Sequence, residues 1–244
     1  MATAIDRIST DRSRLETAES TWKSLYRMAG VAALITLAFM PVQIVVFIAW
    51  PPPGNVIGWF TLFRTAPVVA LIDFDLLLLL DNLLAIPVIL ALYCALRRVN
   101  EAVMALAVLA GLAGCVLLIT ARPVIEMVSL SDQYASAATN EQRTMLLAAG
   151  QAMLALYNGT AFNVSYIIGA LAMVAISAIM LRSAIFSKAT AYAGILSSVI
   201  GLGLFVPKIG LVLALISVPF LAIWDILIAR RFFQLGQFRA TETP

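Results

Sequence analysis

Histidine is missing from the 244-residue sequence, and charged residues are few. Without histidine there is no imidazole to hold zinc or haem, and no Ser-His or Cys-His pair for catalysis. The two cysteines, Cys94 and Cys115, both lie inside apolar runs, so we expect free, buried thiols rather than a disulfide. Charged residues make up 12% of the chain and hydrophobic residues 62%. Soluble domains are typically about 25% charged and about 45–50% apolar, so the composition predicts a protein surrounded by lipid.

Sequence motifs for phosphate binding, nucleophilic catalysis and metal binding are also missing. The chain has no GxxxxGK, GxSxG, CxxC or HExxH pattern. Its formal net charge of +3 is too small to indicate a nucleic-acid partner. We therefore predict no catalytic residue, no metal and no cofactor.

Six apolar runs are long enough to cross a bilayer as helices. A hydrocarbon core about 30 Å thick needs about 20 helical residues, and the runs do not alternate as membrane strands would. They occupy residues 28–50, 66–96, 102–120, 161–181, 189–206 and 209–229. The sequence thus predicts an all-α polytopic bundle of six transmembrane helices over residues 25–236, with polar tails at 1–24 and 237–244.

Lysine and arginine are unevenly divided between the two predicted sides of the membrane. With the N-terminus in the cytoplasm, twelve of the 16 basic residues lie on the inner side. The outer side holds only Arg64, Arg122, Arg143 and Lys208. Because basic residues are enriched in cytoplasmic connections, we predict a multi-pass protein of a cell inner membrane with both tails in the cytoplasm.

The longest connection, residues 121–160, has helical patterns of its own. Thr139 and Gln142 form a capping-box pattern, and Gly159 closes the segment. Four apolar residues recur at helical spacing after the cap: Met145, Ala149, Met153 and Leu156. A second, shorter helix is expected in "RPVIEMVSLSDQY". We predict an amphipathic outer cap between the third and fourth transmembrane helices.

Three aspartates and an asparagine interrupt the second apolar run. Residues 66–96 would form a helix of roughly 46 Å, which is longer than the bilayer core is thick. With the inner end fixed by two arginines, Asp73 and Asp75 are predicted above the outer hydrocarbon edge, and Asp81 and Asn82 about one turn inside it. One continuous helix would place Asp75 and Asn82 on a single polar stripe.

Two interpretations of these acids stay open. In the first, the acids pair with Arg64, Arg122 or Arg143 and fasten the outer connection. In the second, they face water and form an outward-facing vestibule that binds a cation or a small polar ligand. The candidate ligand-binding residues of that vestibule are Asp73, Asp75, Asp81, Asn82, Glu126 and Asp132.

Asp225 is the remaining acid inside an apolar run. It lies near the inner end of the sixth run, so we expect an ion pair at the inner membrane surface. Its predicted partners are Arg97, Arg98 or Arg182. Asp81 is predicted near the outer face of the membrane and Asp225 near the inner face, so the two are not expected to form an aspartate pair.

Several segments resemble a family of bacterial integral membrane proteins known as domain-of-unknown-function family 4386. The similar segments are "DNLLAIPVILALYCALRR", "SLSDQYASAATNEQRTMLLAAGQAMLA", "NGTAFNVSYIIGALAMVAISAIMLRSAIFSKATAYAGIL" and "LISVPFLAIWDILIARRFFQLG". The resemblance extends from about Tyr26 to Gly236. It implies a bacterial inner-membrane protein with six spans, and it implies no activity.

Three classes of function remain. The first is non-enzymatic binding or passage of a small polar ligand or cation at the acidic vestibule. The second is an accessory or structural membrane subunit that docks a partner through the outer cap. The third, an intramembrane enzyme acting on lipid, has the least support because histidine and paired acids are missing. The expected partners are the lipid bilayer and either another membrane protein or a second copy of the chain.

Overall fold

The computed structural model describes the backbone of residues 2–237 and the side chains from Trp22 onward. The tail predicted at 237–244 therefore lies almost entirely outside the described residues, as do most side chains of the tail at 1–24. The described chain is helical throughout its regular elements. In order, these are α1 (Ala2–Ala49), α2 (Val56–Thr65), α3 (Pro67–Asp73), α4 (Leu76–Leu96), α5 (Glu101–Thr120), α6 (Val124–Ser136), α7 (Asn140–Tyr157), α8 (Thr160–Leu181), α9 (Lys188–Gly201), a 3₁₀ turn (Leu202–Phe205) and α10 (Gly210–Gln237).

Six helical segments are long and apolar enough to cross a membrane, which confirms the predicted polytopic bundle. They contain α1, α4, α5, α8, α9 and α10. These helices form a closed ring, because each packs against the one before and the one after it and α10 returns to α1. Transmembrane helices that follow one another in the chain are thus neighbours in space, as is usual for consecutive elements.

The four remaining helices lie together at one end of the ring. Because α2 and α3 connect α1 to α4, and α6 and α7 connect α5 to α8, all four meet at the end that we call the capped end. The opposite, uncapped end brings α1 and α10 together, with Arg27 against Gly236. The sequence predicted only the part of the cap formed by α6 and α7.

Side chains at helical spacing build the core of the cap. In α2, Asn55 accepts a hydrogen bond of 2.8 Å from the backbone N–H of Gly58 and so begins the helix. Four buried residues then repeat at positions one, four, five and eight: Val56, Trp59, Phe60 and Phe63. They pack against the buried residues Val124 and Met127 of α6.

The predicted capping box of α7 is confirmed, but the predicted apolar face is partly wrong. Thr139 and Gln142 exchange the two capping hydrogen bonds. Met145 and Leu156, however, are exposed. The residues of α7 that pack against the cap core are Leu147, Gly150, Met153, Leu154 and Tyr157. Gly150 determines which face of α7 packs against the cap core, because it lies directly over Val56 and Phe60 and lets α7 approach α2 closely.

The prediction of one continuous helix over residues 66–96 is wrong. Pro67 begins α3 after Ala66, whose φ of −144° and ψ of 69° are not helical, and α3 ends at Asp73. Asp75 then adopts a left-handed conformation with φ 63° and ψ 28°, and α4 begins at Leu76. A left-handed residue cannot continue a right-handed helix, and aspartate is one of the few residues that tolerates this conformation.

The close packing of α8, α9 and α10 around Gly194 can be tested by substitution. A β-carbon at Gly194 would collide with the Ser177 hydroxyl and lie 2.9 Å from the indole Nε1 of Trp224. We expect Gly194→Ala to destabilise the protein by about 1–3 kcal/mol through overpacking. Thermal unfolding in detergent would measure the loss.

The matched control is Gly169→Ala in α8. A β-carbon there meets no atom within 4 Å, so this variant should be neutral or more stable by up to about 1 kcal/mol. Equal effects of the two substitutions would contradict the packing described at Gly194.

Candidate functional site

The break between α3 and α4 is fixed by two adjacent buried residues at the capped end. Phe74 is fully buried, and its ring centroid lies 4.8 Å from that of Trp59 and 4.8 Å from that of Tyr157. These aromatic contacts hold the backbone at the point where the helix stops. The left-handed Asp75 follows directly, so its carboxylate points into the interior of the cap.

The Asp75 carboxylate has a partner for each oxygen. The Gln43 amide donates to Oδ1 at 2.9 Å, and the Tyr157 hydroxyl donates to Oδ2 at 2.5 Å. Arg122 Nε lies 3.0 Å from Oδ2. The Nε–H is not directed at that oxygen, so the contact is an ion pair rather than an aligned hydrogen bond. Burial raises the pKa of Asp75, and the charge of Arg122 and the hydrogen bonds oppose that rise.

Arg122 joins the cap to the ring. Its side chain is 2% exposed, and its Nη1 donates to the backbone carbonyl of Tyr157 at 2.9 Å. The guanidinium carbon lies 4.2 Å from the ring centroid of Tyr157 and 4.5 Å from that of Phe162. Such stacking is a favourable environment for a desolvated guanidinium. Through Asp75 and Arg122, the α3–α4 break, α1, α7 and α8 meet at one point.

Asp73 differs from Asp75 because no described residue is a hydrogen-bond or ion-pair partner of its carboxylate. The residue is 1% exposed, and neither carboxylate oxygen is hydrogen bonded to a described residue. Burial, followed by the negative charge of Asp75, raises the pKa of Asp73 from 3.8 to about 6. A buried, ionised carboxylate without a partner is costly. Asp73 therefore favours a bound proton or a bound positive charge.

The other predicted site residues do not converge on this point. Asp81 and Asn82 lie within α4, where the Asn82 amide donates to the backbone carbonyl of Leu78 at 2.9 Å. Glu126 is exposed on α6. Asp132, also on α6, forms an exposed ion pair of 3.2 Å with Arg64. The six residues predicted for one vestibule thus occupy three separate places.

Two of the predicted arginines bind acids, as the first interpretation of the acids expects. Arg122 pairs with Asp75, and Arg64 pairs with Asp132. Arg143 instead donates to the backbone carbonyl of Ala137 at 3.4 Å. Two of the six predicted vestibule residues, Asp75 and Asp132, are therefore tied to arginines at the capped end. Asp73 is the buried acid of the cap that remains unpaired among the described residues.

Sequence reasoning missed Gln43 and Tyr157 as partners of Asp75. A signal for Gln43 was present, since Gln43 and Thr36 are the polar residues in the apolar part of α1 and lie seven residues apart. Residues at that spacing share one helix face, and this face meets α4. Tyr157 had no comparable signal, because its position depends on how α7 folds back over the ring.

The fold and site define a six-helix membrane bundle with a helical cap fastened by a buried ion pair. Comparison of the chain with protein-family models, curated proteins and solved structures finds no match.

The buried ion pair yields a test of how the cap is held. Removing one partner of a buried pair leaves the other charge unpaired, which typically costs about 3–5 kcal/mol. We expect Arg122→Ala to destabilise the protein by that amount, measured as the free energy of unfolding in mixed detergent micelles.

The same substitution in the exposed pair is the matched control. The side chains of Arg64 and Asp132 are 57% and 64% exposed, and exposed ion pairs contribute about 0–1 kcal/mol. Arg64→Ala should therefore have little effect. A loss at Arg122 no larger than the loss at Arg64 would show that the buried pair does not hold the cap.

Proposed function

We propose that the protein is non-enzymatic and binds a small cation at the Asp73 carboxylate, beneath the helical cap. The observation that supports this function best is the complete burial of a carboxylate for which no described residue is a partner of either oxygen. Ionisable residues within membrane proteins commonly mark ion or proton pathways.

The charges around Asp73 favour a positive ligand. Asp73 and Asp75 bring two negative charges to the α3–α4 break, and Arg122 supplies one positive charge to Asp75. When Asp73 is ionised, one negative charge stays uncompensated in a buried place. A cation of charge +1 would neutralise the group, whereas an anion would add to the repulsion.

We also propose that this end of the ring faces outward from a bacterial inner membrane and that both termini are cytoplasmic. Eight basic residues of the described side chains lie at the uncapped end: Lys23, Arg27, Arg97, Arg98, Arg182, Lys188, Arg230 and Arg231. Arg64 and Arg122, at the capped end, are held by acids. The positive-inside tendency then supports a cytoplasmic uncapped end, and the resemblance to family 4386 supports a bacterial membrane.

Replacing Asp73 by asparagine tests the cation site. Because the folded-state pKa of Asp73 is raised from 3.8 to about 6, the wild type should lose stability as the pH rises through 6. Asp73→Asn mimics the protonated form, so its melting temperature should match the wild type at pH 4 and exceed it at pH 8. At pH 8, one or more of a panel of alkali, alkaline-earth and organic ammonium cations should stabilise the wild type and not the variant.

Asp132→Asn is the control, because Asp132 is exposed and lies away from Asp73. It should keep the cation-dependent melting shift of the wild type. The absence of a shift for every cation, or an equal shift in Asp73→Asn, would refute cation binding at this carboxylate.

A second candidate function is favoured by the outer face of α7. Met145, Ala148, Ala152 and Leu156 form an exposed apolar stripe along the helix. Such a stripe on a cap suits an accessory subunit that docks another membrane protein. Met145→Lys would then release a partner that co-purifies with the wild type in mild detergent, without lowering the melting temperature. Retention of the same partners by the variant would exclude this face as the docking surface.

A further inference from the structure

The basic residues at the uncapped end form no ion pairs with other described residues. Both ion pairs among the described side chains lie at the capped end. The predicted pairing of Asp225 with Arg97, Arg98 or Arg182 is therefore wrong. Among the described side chains, the other acid near the uncapped end is Glu101, the first residue of α5. This end thus carries positive charge that no described carboxylate neutralises.

Two contacts fix how α9 lies against α10. Near the middle of α9, a β-carbon at Gly194 would lie 2.9 Å from the indole Nε1 of Trp224. Just before α9, the ring centroid of Phe186 lies 6.1 Å from that of Phe232. The first residue of each contact moves back along the chain by as many positions as the second moves forward. The two helices therefore run antiparallel and side by side, and the uncapped end lies beyond the second contact.

Lys188 of α9 and Arg230 of α10 lie at one level of this helix pair. Each is the same number of residues from the contact between Gly194 and Trp224, in the direction of the uncapped end. Both side chains are exposed, and neither is in an ion pair with a described residue. The sequence of α9 contains no acid, and Asp225 of α10 is buried. Two exposed positive charges thus lie side by side on neighbouring helices.

Each of these two bases lies at the end of an exposed apolar stripe. Residues three or four positions apart share one face of a helix. The exposed apolar residues that follow this spacing from the two bases are Tyr192, Leu196 and Val199 of α9, and Ile226 and Ile223 of α10. From Lys188 to Val199 the stripe on α9 is roughly 16 Å long. That length matches one leaflet, which is half of a hydrocarbon core about 30 Å thick.

From this arrangement we infer that the lipid-facing surface of the α9–α10 pair binds an anionic phospholipid. The lipid phosphate lies between Lys188 and Arg230, and an acyl chain lies along the two apolar stripes. Basic groups at the ends of transmembrane helices attract anionic headgroups, and an arginine guanidinium matches the geometry of a phosphate. A free phosphate would use only the charges and would leave the stripes unused. The argument is independent of cation binding at Asp73.

The connection between α4 and α5 offers a contrast at the same end of the ring. Arg97 and Arg98 are exposed there and are not in ion pairs with described residues. Glu101, however, follows them within one helical turn of sequence and is also exposed. A carboxylate beside the bases repels a phosphate. This connection therefore carries the same two positive charges without favouring a bound lipid.

Replacing both bases of the α9–α10 pair by glutamine tests the lipid site. The full-length protein in a neutral detergent would be titrated with phosphatidylglycerol or phosphatidylcholine, and its melting temperature would be measured. Phosphatidylglycerol should raise the melting temperature of the wild type more than phosphatidylcholine does, because a ligand stabilises the state that it binds. In the Lys188→Gln/Arg230→Gln variant, the apparent affinity for phosphatidylglycerol should fall about tenfold or more. Since both residues are exposed, the variant should melt like the wild type in phosphatidylcholine.

Arg97→Gln/Arg98→Gln is the matched control, because it removes the same charge from the same end of the ring. It should keep the response of the wild type to phosphatidylglycerol. Equal losses in the two double variants would show a general attraction of the basic end for anionic lipid, and would overturn the inference of a site. Equal stabilisation of the wild type by glycerol phosphate, which has no acyl chain, would exclude a lipid as the preferred ligand. A wild type that does not distinguish the two lipids would also refute the proposal.

Discussion

The buried ion pair between Asp75 and Arg122 is the constraint on which the capped end depends. It joins a left-handed residue between two helices to an arginine between two others, so a single contact fixes both connections at once. Two desolvated charges are stable only when their remaining hydrogen-bonding groups are satisfied. Gln43 and Tyr157 meet that need for Asp75, and the aromatic rings of Tyr157 and Phe162 enclose the guanidinium. The cap is therefore held by a network whose members come from distant parts of the chain.

The ring itself is held by different forces. Lipid offers no water to backbone groups, so each span must satisfy its backbone within its own helix. Little hydrophobic force then brings spans together, and close packing of small residues has to supply the attraction. Gly114, against the backbone of Ser165 and Gly169, and Gly194, against Ser177 and Trp224, are two positions where a glycine lets neighbouring helices approach closely. The cap combines an apolar core with the buried ion pair, whereas close packing of small residues holds the ring. Removing the ion pair should therefore disturb the cap without disturbing the packing within the ring.

The long apolar runs predicted the six spans, and the capping box predicted the start of α7, because both features depend only on residues close together in the sequence. Thr139 and Gln142 lie three residues apart, and their capping box needs no tertiary contact. The break at Asp75 could not be predicted in this way, since residues 66–96 read as one helix until Gln43, Arg122 and Tyr157 are placed around the carboxylate. The prediction that six polar residues line one vestibule was wrong for the same reason. The sequence indicated that most of these acids lie toward the capped end of the bundle. Only the tertiary packing determines which of them forms an ion pair with an arginine.

The distribution of partners among the acids indicates where function lies. Asp75 and Asp132 each form an ion pair with an arginine, and these ion pairs help to hold the cap. Asp73, Asp81 and Asp225 are acids of the bundle and cap with buried oxygens that lack partners among the described residues. If these positions served packing alone, leucine or asparagine would fill them equally well. Burying an unpaired carboxylate instead destabilises the folded protein. Unpaired acids in the cap and the ring are understandable if each one binds a proton or an ion. A carboxylate without a fixed partner is costly to bury, but it can bind and release such a ligand reversibly.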